Sequence, residues 1–325
     1  MMNKKIILIL VLLVSVTMLM GCSSEVTTAL FLKSCAEGTA EEVQRKIDRG
    51  ADVNLTVDDD LTPLMFAAMK NDDPEVVSVL VENGAEVDAK NSKEWTALMS
   101  AVRHNTPEVV DAFITNGADV NAKDHDGWTP LMHAASVNTN IEVTKLLVKS
   151  GAKVNATNDE GWTPLMEAAT GNPNVKVVET LIKNGAEVDG RNNAGWTALM
   201  AAAKNNTPEV VKILIKNGAN VNAQGNEDWT PLMEAAVDNT NPEVIKVLIE
   251  YGAKIDAQMD DNGATALMYA AYSNSNPEVV LTLLEAGANP KLKSKEGMLA
   301  VEYLEQFNEE LKGTEAHQRL KELSY

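Results

Sequence analysis

Residues 126–158 read DGWTPLMHAASVNTNIEVTKLLVKSGAKVNATN, and the same sentence is written over and over along the chain. Its marker, Thr, then Pro or Ala, then Leu-Met, begins at Thr62, Thr96, Thr129, Thr163, Thr197, Thr230 and Thr265. The steps between copies are 34, 33, 34, 34, 33 and 35 residues. A second marker, Gly-Ala, runs in phase from Gly50 to Gly287. Self-similarity at this period predicts a solenoid in which each copy is one supersecondary unit. Such a unit cannot bury its apolar face alone, so it stacks on its neighbours.

Within a copy, the Thr reads as a helix N-cap, because its hydroxyl can accept from an orphan backbone N–H. Pro after it suits the first helical position. Leu and Ala-Ala follow, as in Leu64, Ala67 and Ala68. A break rich in Asn and Thr precedes a second start signal: Asp73-Pro74-Glu75, Thr106-Pro107-Glu108, Asn241-Pro242-Glu243 or Asn276-Pro277-Glu278. Glu in the first turn suits the positive end of the helix dipole. The second helix carries aliphatics at helical spacing, as in Val244, Val247 and Leu248. It stops at a Gly able to take the left-handed conformation. From each Gly to the next Thr runs a short polar stretch with turn residues such as Asp126-Gly127, which predicts a projecting hairpin-like finger.

Helix, helix and finger with T-P-L and G-A-x-V-N resembles the ankyrin repeat, from about Thr27 to Leu323. The resemblance implies an all-α ankyrin-repeat solenoid, capped at both ends. One departure is uniform: where the family carries His after T-P-L, every copy here carries Met, so sulfur-containing packing replaces that histidine's hydrogen bonds. The expected organisation is a signal peptide at 1–21, a lipid-anchor tether at 22–28, an N-terminal capping repeat at 29–60, seven repeats at 61–293 and a C-terminal capping repeat at 294–325. The last cap should end in a polar helix over 314–323, with Leu320 and Leu323 facing inward.

The N-terminus argues for an envelope location. Lys4 and Lys5 precede an apolar run at 6–20 that is short for a membrane span but matches a signal-peptide core. Leu19-Met20-Gly21-Cys22 resembles a bacterial lipobox, which implies cleavage before Cys22, its acylation, and a lipoprotein held on the extracytoplasmic side of a membrane. Two or three acyl chains anchor stably. The remaining cysteine, Cys35, reads as a small buried residue of the first cap.

The formal charge is −19, from 47 acidic and 28 basic residues, and removal of Lys4 and Lys5 takes it to −21. Such a field disfavours nucleic acid and favours a protein partner with a basic surface. Chemistry is sparse. Among His104, His125 and His133, with Asp124 and Asp126 near, metal-ligand spacing is absent. Asp58-Asp59-Asp60 lacks the EF-hand pattern and reads as a solvated finger. With no nucleophile motif or phosphate loop, no enzyme, cofactor or metal is expected.

Function is therefore sought on a surface. All five tryptophans, Trp95, Trp128, Trp162, Trp196 and Trp229, directly precede a cap Thr. The resemblance places them where finger meets concave face. Layers about 8–10 Å apart would keep the indoles beyond the ~4.5–7 Å of ring contact. After Leu-Met come Phe66, Ser100, His133, Glu167, Ala201, Glu234 and Tyr269, too mixed for a core position and so expected to face solvent or a ligand. After the Ala-Ala come Met69, Arg103, Ser136, Thr170, Lys204, Val237 and Tyr272, equally mixed. The expected partner-binding set is the five tryptophans with Arg103, His133, Glu167, Lys204, Glu234, Tyr269 and Tyr272. The expected function is a monomeric, lipid-anchored protein-interaction scaffold. A glycan or small-ligand binder using the indoles is the alternative.

Overall fold

A computed structural model describes residues 23–325. The signal peptide expected at 1–21 and the acylated Cys22 lie outside the described residues. Those described contain eighteen α-helices and no strand, an all-α repeat solenoid. The helices come in pairs. The first helices are α1 (Ser23–Glu37), α3 (Pro63–Lys70), α5 (Ala97–His104), α7 (Pro130–Val137), α9 (Pro164–Gly171), α11 (Ala198–Asn205), α13 (Pro231–Asp238), α15 (Ala266–Ser273) and α17 (Ala300–Phe307). The second helices are α2 (Ala40–Ile47), α4 (Pro74–Glu82), α6 (Pro107–Thr115), α8 (Ile141–Lys149), α10 (Val175–Lys183), α12 (Pro208–Lys216), α14 (Pro242–Glu250), α16 (Pro277–Glu285) and α18 (Glu315–Ser324). Because α1 starts at Ser23, residues 23–28, expected as a tether, are helical.

The caps form as the residue types dictate. Thr62 Oγ1 accepts from Met65 N at 3.3 Å, and Thr163 and Thr230 cap α9 and α13 in the same way. Asp73 and Asn276 cap α4 and α16, each with Pro next to it. At the end of α4, Gly84 has φ +92°, and Ala85 N donates back to Leu80 O at 3.0 Å. A residue with a Cβ is strained there, which is why Gly recurs at this point of every copy.

Contacts divide the chain into two compact units, one ending at Ala134 and including Glu142–Lys153, the other formed by Ala135–Ile141 and Val154–Tyr325. In the first unit α1 packs on α3 and α3 on α5, while α2 packs on α4 and α4 on α6. In the second, α9, α11, α13, α15 and α17 pack in succession, and α10, α12, α14, α16 and α18 do likewise. First helices thus touch first helices and second touch second. The core holds the Leu-Met and Ala-Ala positions: Leu64, Met65, Ala67 and Ala68 in one copy, Leu232, Met233, Ala235 and Ala236 in another, all essentially inaccessible. Each buried Leu or Met contributes roughly 1.5–3 kcal/mol. Cys35 is buried in α1, and burial pushes its thiol up to about 12. In α18 Leu320 is buried, but Leu323 is only half-buried; Ser324 takes the inward position beyond it.

Within each unit, an asparagine that follows a first helix ties neighbouring layers together. Asn71 Nδ2 donates to Cys35 O and Gly38 O, both at 2.9 Å. In the second unit Asn172 donates to Ala135 O and Asn138 O at 2.7 and 3.1 Å, and Asn239 to Ala203 O and Asn206 O at 2.9 and 3.1 Å. Each asparagine fills the orphan carbonyls at the end of the preceding layer's first helix. These backbone groups would otherwise be buried without partners.

Candidate functional site

Four of the five tryptophan fingers are closed by an Asp or Asn four residues before the tryptophan. The backbone N–H of Asp124 donates to Trp128 O at 3.0 Å, while Asp124 Oδ1 accepts from Trp128 N at 2.8 Å. Asn91, Asn158 and Asn192 clamp Trp95, Trp162 and Trp196 in the same two ways. Gly225 stands at that place before Trp229 and keeps the backbone bond alone. Clamping turns the finger's base toward the first helices, and all five indoles come to rest half-buried.

In the first unit the indoles of Trp95 and Trp128 close on His133. Their ring centroids lie 4.5 and 5.1 Å from the imidazole. His133 is only 4 % exposed, so the expectation that it faces solvent is overturned. Both of its nitrogens are occupied: Nε2 lies 3.0 Å from Asp124 Oδ2, and Nδ1 lies 3.4 Å from Arg103 NH1. An arginine can only donate. Nδ1 must therefore accept, and Nε2–H donates to the carboxylate. Burial holds the imidazole below its ordinary pKa despite the attraction of Asp124. Asp124 itself is held low: burial pushes it upward, but its bonds to His133 and to the Trp128 backbone outweigh that. Arg103 also lies over the Trp95 ring, 5.8 Å from its centroid. It is half-buried within the cluster instead of free for a partner.

In the second unit the same column holds carboxylates. Glu167 and Glu234 are 9 % and 5 % exposed, which again corrects the expected solvent-facing placement. Burial raises each carboxyl to about 7. Glu160 adds to the rise at Glu167, whereas at Glu234 Lys204 opposes it and Asp238 supports it. Phe66, Ser100 and Ala201 are buried too, so the column is interior despite its mixed chemistry. The variety is tolerated because the position lies beneath the finger bases, where the partners available differ from copy to copy.

The indoles also correct an expectation about spacing. Trp162 and Trp196 meet at 6.2 Å between centroids, tilted by 47°. Layer spacing limits helix axes, but side chains that lean along the stack cross it. Trp229 packs on Tyr269 at 4.6 Å, and the Tyr269 hydroxyl accepts from Asn262 Nδ2 at 3.0 Å and donates to Met259 Sδ at 2.8 Å. Tyr269 is thereby half-buried. Lys204 Nζ sits 5.3 Å from the Trp196 centroid and 3.1 Å from Asp238 Oδ2. Tyr272 is the one member of the expected set that is openly exposed, at 46 %. It meets Tyr303 and Phe307 at 6.3 and 5.2 Å, an aromatic group that sequence reading did not assemble. Tyr303 and Phe307 at helical spacing in α17 were the signal available for it.

Between two fingers of the second unit lies an open groove of about 530 Å³, lined by Asp159, Glu160, Trp162, Asn192, Asn193 and Trp196 among others. Among the described residues no group of His, Cys, Asp or Glu is arranged to hold a metal ion. No helix there is long and apolar enough to cross a membrane.

Comparison with known families gives one result. A family model described as ankyrin repeats (3 copies) matches the chain in overlapping stretches at residues 11–91, 30–124, 64–158, 98–192, 131–225 and 221–294. No curated protein sequence matches it significantly.

Proposed function

Because the chain belongs to the ankyrin-repeat family, we propose that it is a lipid-anchored, extracytoplasmic scaffold that holds a basic partner protein on its fingers and aromatic column. Ankyrin repeats generally mediate protein–protein interaction and are generally non-enzymatic. The observation that carries the finer reading is the half-buried pair Trp162 and Trp196 lining an open groove with Asp159 and Glu160, since Trp is a favoured anchor residue at interfaces. A chain of formal charge −19 selects for a partner of opposite sign. The anchor rests on residues 4–22, whose pattern matches a lipoprotein signal.

Two experiments test this. Cross-linking in intact cells, followed by identification of the bound protein, should recover one partner with a basic surface; recovery of none would end the scaffold reading. Radioactive palmitate should label the protein and fail to label Cys22→Ala. Equal labelling of both would remove the anchor.

A further inference from the structure

Two indoles carry a cation from their own repeat, and the two cations are held differently. Lys204 Nζ lies 5.3 Å from the Trp196 centroid and is fixed there by Asp238 Oδ2 at 3.1 Å. The Arg103 guanidinium lies 5.8 Å from the Trp95 centroid, and its NH1 donates to His133 Nδ1 at 3.4 Å. Among the described residues no carboxylate pulls on Arg103; burial alone acts on its pKa, and lowers it. A carboxylate goes on accepting through the pH range in which an imidazole gains its proton. The imidazole stops accepting once that proton is bound.

The proton has one place to go. His133 Nε2–H already donates to Asp124 Oδ2 at 3.0 Å, so protonation adds a hydrogen at Nδ1, the atom that accepts from Arg103. An imidazolium donates from both nitrogens, and arginine cannot give up its own charge. Two donors and two positive charges then face each other across 3.4 Å, which neither tolerates. The imidazolium is the member that stays. Asp124 pairs with it, and the rings of Trp95 and Trp128 pack against it at 4.5 and 5.1 Å. Arg103 is half-buried at the edge of the cluster and is the member that can move. The charged groups acting on His133 are these two, Asp124 from the finger and Arg103 from α5.

We infer that His133 is a proton-operated latch: when it takes up a proton, Arg103 leaves the Trp95 ring and that indole opens to solvent, while Trp196 stays covered by Lys204. Histidine suits the task because its charge changes closest to neutral pH. Burial holds His133 below its ordinary pKa, so the latch is shut at neutral pH and opens in acid. The switch belongs to the chain alone and stands whether or not a partner binds.

The test uses the full chain labelled with 5-fluorotryptophan, its Trp95 and Trp196 resonances assigned by their loss in Trp95→Phe and Trp196→Phe. Exposure is read as broadening by the neutral radical TEMPOL between about pH 8 and about pH 4. Expected are a several-fold rise in broadening at Trp95 through a one-proton transition and none at Trp196. The transition should be absent in His133→Gln, whose amide still accepts from Arg103 and donates to Asp124. Arg103→Ala should leave Trp95 broadened at every pH and let His133 protonate at a higher pH, read from its ring carbons in histidine-labelled protein. Broadening at Trp95 that stays constant while His133 titrates would overturn the inference. So would a transition that persists in His133→Gln, which would assign it to His104 or His125. Equal opening of Trp196, or loss of helical circular dichroism in the same transition, would also overturn it. Should His133→Gln fail to fold, Arg103→Ala decides: a His133 midpoint unmoved from the parent's removes the latch.

Discussion

His133 in the first unit and Glu167 in the second occupy the same place in their repeats, five residues after a tryptophan, and both are buried. Their surroundings differ. His133 is gripped by two indoles and bonded at both nitrogens, to Asp124 and to Arg103. Glu167 is 9 % exposed, and burial raises its carboxyl to about 7. One backbone position can therefore hold an imidazole bonded at both nitrogens in one copy and a carboxyl with a raised pKa in another. Taking a carboxylate out of water costs free energy, so burial favours its neutral form.

The largest expected effect breaks the satisfied side. His133→Ala removes two ring contacts and two polar bonds and leaves Asp124 buried without its partner; a loss of about 2–4 kcal/mol is expected in urea unfolding. Because neighbouring repeats couple, the loss should reach Trp95 and Trp128 fluorescence together. A change below about 1 kcal/mol would mean that the cluster is incidental.

The opposite sign is expected on the other side. Glu167→Gln should stabilise the protein at pH 8 by about 1–2 kcal/mol and leave it unchanged at pH 4, as should Glu234→Gln. Each carboxyl has a folded-state pKa of about 7, above its ordinary 4.5. The folded state binds the extra proton between those values, so stability is full below about 4.5 and falls as the pH rises to about 7. Parallel stability–pH curves for the parent and both variants would contradict this.

His133 should show the reverse slope. Its folded-state pKa is held below 6.5 by burial. The folded state then binds fewer protons than the unfolded one, and stability is lost as the pH falls below about 6.5. In His133→Gln that part of the acid loss should vanish, and its persistence would place the acid sensitivity elsewhere. The smallest effect belongs to Lys204→Met, which removes a half-exposed cation from the Trp196 face. Stability should change by less than about 1 kcal/mol, while Trp196 emission shifts; unchanged emission would mean that the contact is not maintained in solution.

Much of this was legible before the structure. Thr62 and its counterparts announced their caps, and Gly84 and its counterparts announced their stops, because capping is a local geometry within four or five residues. The tryptophan column was legible as a column. Its contacts were not: Trp95 meets His133 from 38 residues away, and nothing in either neighbourhood states which neighbour an indole leans toward. The mixed column from Phe66 to Tyr269 misled for a related reason. Variety usually signals exposure, but Phe66, Ser100, His133, Glu167, Ala201 and Glu234 are all buried. The layer-tying asparagines, Asn71 to Asn308, stood in the sequence at the repeat period, but a loop asparagine gives no sign that its amide is aimed at carbonyls of the preceding copy.

By itself the sequence determined the period, the helix pairs, their caps and the Leu-Met and Ala-Ala core, since all of these follow from interactions within one copy. The tertiary structure alone decided which tryptophans touch, that His133 is satisfied, and that burial raises the Glu167 carboxyl. Those outcomes depend on side chains from adjacent copies meeting across a layer boundary, where contact is set by stacking and not by distance along the chain.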